Sequence, residues 1–109
     1  MKDYIIDINC DVGEGVANEA ELFPFISSCN IACGGHTGDR ESMRATVRLA
    51  QKFGVGIGAH PSYPDRENFG RKSLYMDTTE LSLSIKDQIH RLASICMEEA
   101  ITIQHIKPH

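Results

Sequence analysis

Strand-like and helix-like segments alternate along this chain, and a chemically active residue stands at the end of each strand. Residues 4–11 are rich in β-branched side chains and predict a first strand, closed by Gly13 and Gly15. Residues 18–26 predict a short helix limited by Pro24. Residues 28–33, reading SCNIAC, predict a second strand that ends at Gly34-Gly35. Asp39 is placed to cap a helix whose apolar face carries Met43, Val47 and Ala50, with Leu49 and Phe53 alongside. Gly54 follows at the position of a left-handed C-cap. Residues 55–59, VGIGA, predict a third strand whose glycines indicate close approach by a neighbour or ligand. A loop over residues 61–78 contains Pro61, Pro64 and Gly70. Asp77 with Glu80 resembles a capping box, and Leu81, Ile85, Ile89, Leu92 and Cys96 then recur at helical spacing. Residues 101–107, ITIQHIK, alternate as a fourth strand.

This alternation predicts an α/β fold with a parallel sheet and right-handed crossovers. Periodicity alone suits a (β/α) barrel and an open doubly wound sheet equally. A length of 109 residues allows one domain, and 41% hydrophobic with 24% charged residues is ordinary for a folded protein. The last strand has no covering helix after it, and a (β/α) barrel takes roughly 200–250 residues. Residues 1–109 are therefore expected to be the N-terminal part of a single longer domain. A net charge of −4 without a Lys/Arg cluster gives no reason to expect nucleic-acid binding. No apolar run is long enough to span a membrane, and the N-terminus lacks the apolar core of a signal peptide. A cytoplasmic location is expected, with Cys10, Cys29, Cys33 and Cys96 as reduced, mostly buried thiols.

Asp11 and Glu14 follow the first strand, His36 the second, His60 the third and His109 the fourth, with His105 and Lys107 inside it. In parallel α/β folds these strand ends converge on the active site, so the set is expected to catalyse a reaction or hold a metal. Asp7, Asn9 and Asp11 share one face of the first strand and need partners if that face is buried. His36 lies in a glycine-rich turn where backbone can approach a ligand. Asp39 reads as a helix cap rather than a catalyst. Pro61 holds the backbone of His60 extended. His105, Lys107 and His109 point the same way on a strand, and His105 is equally consistent with a structural core histidine. His90 reads as a surface residue.

Such a set can bind a divalent metal and activate water, with Asp11, His36 and His60 as candidate ligands. It can equally do metal-free acid–base chemistry, a carboxylate serving as base while imidazoles stabilise an oxyanion. Spacing leaves both open. Arg71 and Lys72, beside Gly70, offer cations for a carboxylate or phosphate. The chain has no P-loop sequence, and nothing in it suggests a covalent mechanism.

Five motifs together resemble the LamB/YcsF family, the A-type subunits of 5-oxoprolinase. They are Asp7-Ile8-Asn9-Cys10-Asp11-Val12-Gly13-Glu14-Gly15, Ser28-Cys29-Asn30-Ile31-Ala32-Cys33-Gly34-Gly35-His36-Thr37-Gly38-Asp39, Ile57-Gly58-Ala59-His60-Pro61-Ser62-Tyr63-Pro64-Asp65, Phe69-Gly70-Arg71-Lys72 and His105-Ile106-Lys107-Pro108-His109. The resemblance implies an irregular, seven-stranded TIM-like barrel, similar to that of metal-dependent polysaccharide deacetylases, of which this chain holds about the first four strands. It implies ATP-dependent opening of the 5-oxoproline lactam to L-glutamate, with ATP and Mg2+ as cofactors and subunits B and C as partners. In that scheme ATP phosphorylates the amide oxygen and water attacks the activated carbon. Asp11 or Glu14 would be the general base. His36, His60 and His109 would stabilise developing charge or hold a metal, and Asn9, Arg71 and Lys107 would bind substrate. Two other readings compete: a metal-dependent amide or ester hydrolase acting on a modified sugar without ATP, and a non-catalytic half-barrel that only binds partners.

Overall fold

Four parallel strands lie side by side in chain order: β1 (Asn9–Val12), β2 (Ser28–Ala32), β3 (Gly56–His60) and β4 (His105–Ile106). The computed structural model describes residues 5–109. Among the described residues no strand is inserted out of sequence, whereas a doubly wound sheet would reverse direction at a switch point. The order therefore selects a barrel-type winding over the open sheet that periodicity left possible.

Side chains alternate across this sheet and divide it by chemistry. Cys10 and Val12, Cys29 and Ile31, Ile57 and Ala59 point to the helix side and join one apolar core. That core also takes Met43, Val47 and Ala50 from α1 (Arg40–Phe53) and Leu92, Ile95 and Cys96 from α2 (Thr78–Glu98). The opposite face carries Asn9, Asp11, Asn30, Gly58, His60 and His105. In register, Asp11, Asn30, Gly58 and His105 form one row across all four strands.

Helix α1 begins with a reciprocal capping box. Asp39 Oδ1 accepts from Ser42 N at 2.7 Å, and Ser42 Oγ accepts from Asp39 N at 2.9 Å. Those bonds, led by the one from the Ser42 backbone, hold the Asp39 carboxyl below its ordinary 3.8. A carboxyl depressed by folding stabilises the fold above its unfolded value and loses that contribution as pH falls through the lower folded value. Asp39→Ala is therefore expected to lower the Tm near neutral pH, and by less as the buffer is taken below pH 3.8. Thermal melts of both proteins across pH check this; an unchanged gap at low pH would rule the cap out as its source. Gly54 closes the helix with φ 66°, as the sequence suggests.

Several boundaries differ from expectation. Of the first predicted strand, Tyr4 lies outside the described residues, and strand geometry starts only at Asn9. Ile5, Ile6 and Ile8 are exposed, since β1 is paired on one side only among the described residues. The first helix is a 3₁₀ segment, Glu19–Phe25, with Pro24 inside and only Phe23 buried. A proline ring forbids the α-helical bond there but tolerates this short form. Asp77 makes no side-chain cap on α2, and Leu81, Ile85 and Ile89 are only half-buried. Phe53 of α1 is exposed. Formal β4 is two residues long, although Gln104, Lys107 and His109 N–H groups still reach Ile57, Ala59 and Pro61 carbonyls at 2.8–2.9 Å. All four cysteines are free, and burial pushes the Cys29 thiol up to about 12 and the Cys33 thiol up to about 11. Among the described residues, no helix is long and apolar enough to cross a membrane.

Candidate functional site

The polar face converges at the C-terminal ends of the strands. His60 ends β3, fully buried. Its Nδ1 lies 2.6 Å from the Lys107 carbonyl, which can only accept, so Nδ1 carries the hydrogen. Its Nε2 faces the centre of the site. That nitrogen lies 3.4 Å from Asp11 Oδ2 and 3.7 Å from Glu14 Oε2, and it is a buried side-chain atom without a hydrogen-bond partner. A buried, unpaired polar atom is costly and is retained where a ligand or proton completes it.

His36 is delivered by the turn after β2. Gly38 makes that turn possible: its φ is 99°, and a Cβ there would lie 2.9 Å from the Ala32 carbonyl oxygen. His36 Nε2 is 2.6 Å from Glu14 Oε2, and Nδ1 is 3.0 Å from Ser62 Oγ. Burial lowers the His36 pKa, outweighing the opposing pull of the Glu14 hydrogen bond, and the neighbouring His109 and His60 lower it further. His109 stacks on His36, with centroids 3.9 Å apart and planes within 3°, and its Nε2 donates to the Phe69 carbonyl at 2.8 Å. Each histidine thus has one ring nitrogen anchored on an outer oxygen and the other left for the centre, the arrangement found around metal ligands.

Asp11 sits where Asn30 and Lys107 meet it. Asn30 Nδ2 donates to Oδ1 at 2.9 Å, and Lys107 Nζ reaches the two oxygens at 3.2 and 3.1 Å. Burial raises the Asp11 carboxyl, but these bonds outweigh it and hold it below 3.8. Asn30 is a hub that sequence patterning does not single out. Fully buried, it also exchanges bonds with Asn9 at 2.6 and 3.1 Å and accepts from His105 Nε2 at 2.6 Å. The available signal was a single carboxamide inside the apolar run SCNIAC.

One atom each from Glu14, His36, His60 and His109 lie within 4.8 Å of one another, a group that can hold a metal ion. His36 and His60 were expected as ligands; Asp11 stands outside the group, engaged by Lys107 and Asn30. Asn9 belongs to the hydrogen-bonded row beneath the site rather than to its centre. His105 spends Nε2 on Asn30 and supports the row from the fourth strand. Arg71 lies over the Phe69 ring, 5.5 Å from its centroid. It lines an open cavity of about 410 Å³ together with Tyr63, Lys72 and His109. His90 is exposed, as expected.

Parallel strands that bring carboxylates and imidazoles together at their C-terminal ends define a (β/α)-barrel protein with a group able to hold a metal there. The LamB/YcsF family matches residues 6–109, and the chain belongs to that family. Its structure is similar to that of the lactam utilization protein from Thermus thermophilus, with TM-score 0.91 and 37% identity. The match covers 95% of this chain and 44% of that one, so the chain spans less than half the length of this neighbour.

Proposed function

We propose that this chain contributes the lactam-opening centre of an ATP-dependent 5-oxoprolinase, converting 5-oxoproline to L-glutamate as the A-type component beside partner subunits B and C. Family membership and a neighbour named for lactam utilization support the reading. The observation that carries it is an ionised Asp11 beside the unpartnered Nε2 of buried His60, next to a closely bonded Glu14–His36 pair.

Opening a lactam adds water across the C–N bond: hydroxyl goes to the carbonyl carbon and a proton to the ring nitrogen. Asp11, kept anionic by Asn30 and Lys107, accepts the proton from water. At 2.6 Å the Glu14–His36 contact needs one proton between its partners. That proton serves the departing nitrogen. Separate environments thus divide acid from base among neighbouring groups. Protonated, His60 would point Nε2–H at the developing oxyanion. Arg71 and Lys72 border the cavity beside His109 and would take the substrate carboxylate or a phosphate. ATP, with Mg2+, would enter as co-substrate: its terminal phosphoryl group passes to the amide oxygen with release of ADP, and a second water frees it as phosphate after the ring nitrogen has departed.

The test is glutamate release from 5-oxoproline by the full-length protein with and without its partners and ATP. Glutamate formed in step with ATP consumption, and only with the partners present, is the expected result; no glutamate in the complete mixture would refute it.

The donor set favours a second reading, a metal-dependent hydrolase that needs no ATP. Glu14, His36, His60 and His109 would hold a borderline divalent ion such as zinc, and the orphaned His60 Nε2 fits that use. Such an ion supplies Lewis-acid polarisation of a carbonyl and a lower pKa for water. Asp11, outside the ligands, keeps its role as base. Activity without ATP that a chelator abolishes would select this reading.

A further inference from the structure

We propose that Gln88, on α2, is a positioning residue that sets the tautomer of His36 through Ser62. The inference rests on the proposed reading only for its kinetic arm. Gln88 is 4% exposed, on the part of α2 that also buries Leu92, Ile95 and Cys96. A carboxamide in such a place is unfavourable unless its donors and acceptor are all met. Here they are met chiefly by one residue of the loop after β3. Gln88 Oε1 accepts from Ser62 N at 3.0 Å, and Nε2 donates to the Ser62 carbonyl at 2.8 Å and to Ser84 Oγ at 3.1 Å. Both ends of Ser62 are therefore clamped by a single side chain.

The clamp has a chemical consequence. Ser62 Oγ lies 3.0 Å from both the Tyr63 carbonyl and His36 Nδ1, so where its one hydrogen goes decides whether Nδ1 donates or accepts. His36 Nε2, 2.6 Å from Glu14 Oε2, takes the complementary role, so the hydroxyl of Ser62 and the carboxyl of Glu14 together fix one tautomer. Both uses of the site, acid–base pair and metal ligand, depend on which of the two nitrogens carries the hydrogen. The packing admits no slack: a Cβ on Gly35 would overlap both Ser62 Oγ and Gln88 Oε1.

Three variants of the full-length protein test this: Ser62→Ala, Gln88→Leu and the double variant. The first readout is the ¹⁵N spectrum of His36. Wild type is expected to show a single His36 tautomer, and both single variants a mixture. The second readout is kcat and KM. Each single variant is expected to lose about 10- to 100-fold in kcat with KM nearly unchanged, the range for supporting partners of site ligands. The double variant should fall no further than the worse single, because both act on one path. Ser62→Ala retains the backbone that Gln88 holds, so it reads the tautomer even where Gln88→Leu fails to fold. An unaltered His36 tautomer in Ser62→Ala, or losses that add in the double variant, would overturn the proposal. Should the protein open no lactam at all, the spectrum still decides it.

Discussion

Asp11→Asn is expected to lower kcat for lactam opening by about 10²- to 10⁴-fold, the usual worth of a positioned general base. Asparagine keeps the volume of aspartate and can still accept from Asn30 and Lys107 through its carbonyl oxygen. The row across the sheet therefore survives, and KM is expected to stay close to wild type. What is lost is an anionic oxygen able to take a proton, 3.4 Å from His60 Nε2. Steady-state kinetics of the complete, folded enzyme measure the change. A kcat within a few-fold of wild type would remove Asp11 from the chemistry and leave Glu14 as the only carboxylate at the centre. Lys107→Met supplies a useful contrast, because it removes the bonds at 3.1 and 3.2 Å that help keep Asp11 ionised while leaving the carboxylate in place. A smaller loss is expected there.

The largest effect on stability is expected at Gly58. Its register partners are Asn30 on β2 and His105 on β4. The His105 ring lies across the space that a Gly58 side chain would fill, and this is how Nε2 reaches Asn30 at 2.6 Å. A methyl group there collides with the imidazole, a ring tethered by that hydrogen bond rather than a free chain end. Overpacking costs about 1–3 kcal/mol, and the lost His105–Asn30 hydrogen bond about 0.5–1.5 more. Gly58→Ala is therefore expected to destabilise by about 2–4 kcal/mol, read as a lower denaturant midpoint at constant slope. A midpoint shift worth less than about 0.5 kcal/mol would mean that His105 swings aside without loss, and that the row carries little of the stability.

The strand and helix order of this chain was legible because it rests on local patterns. The period of two in Cys10–Val12 and Ile57–Ala59, the helical spacing of Met43, Val47 and Ala50, and the stops at Asp39 and Gly54 need no distant neighbour to be read. Positions that depend on such a neighbour depart from the local pattern. Ile5, Ile6 and Ile8 have the composition of a strand but stand exposed ahead of β1. Asp77 and Glu80 match a capping pattern, yet Asp77 forms no cap. Asn30 and Gln88 escaped notice because a buried carboxamide declares its role only through the groups it bonds.

Local pattern was enough to dictate the alternation of elements, hence a parallel α/β fold, and to place Asp11, Glu14, His36, His60 and His109 at strand ends. Side-chain period and turn chemistry act over a few residues, so one sequence suffices for them. Packing in three dimensions chose the single direction of winding, paired Glu14 with His36, and gave Asp11 to Lys107 from 96 positions away. It also turned Nε2 of buried His60 towards both carboxylates. Those outcomes depend on strand register and on contacts between residues remote along the chain. Short-range spacing does not encode them, because a hydrogen bond is decided by distance in space and not by separation in sequence.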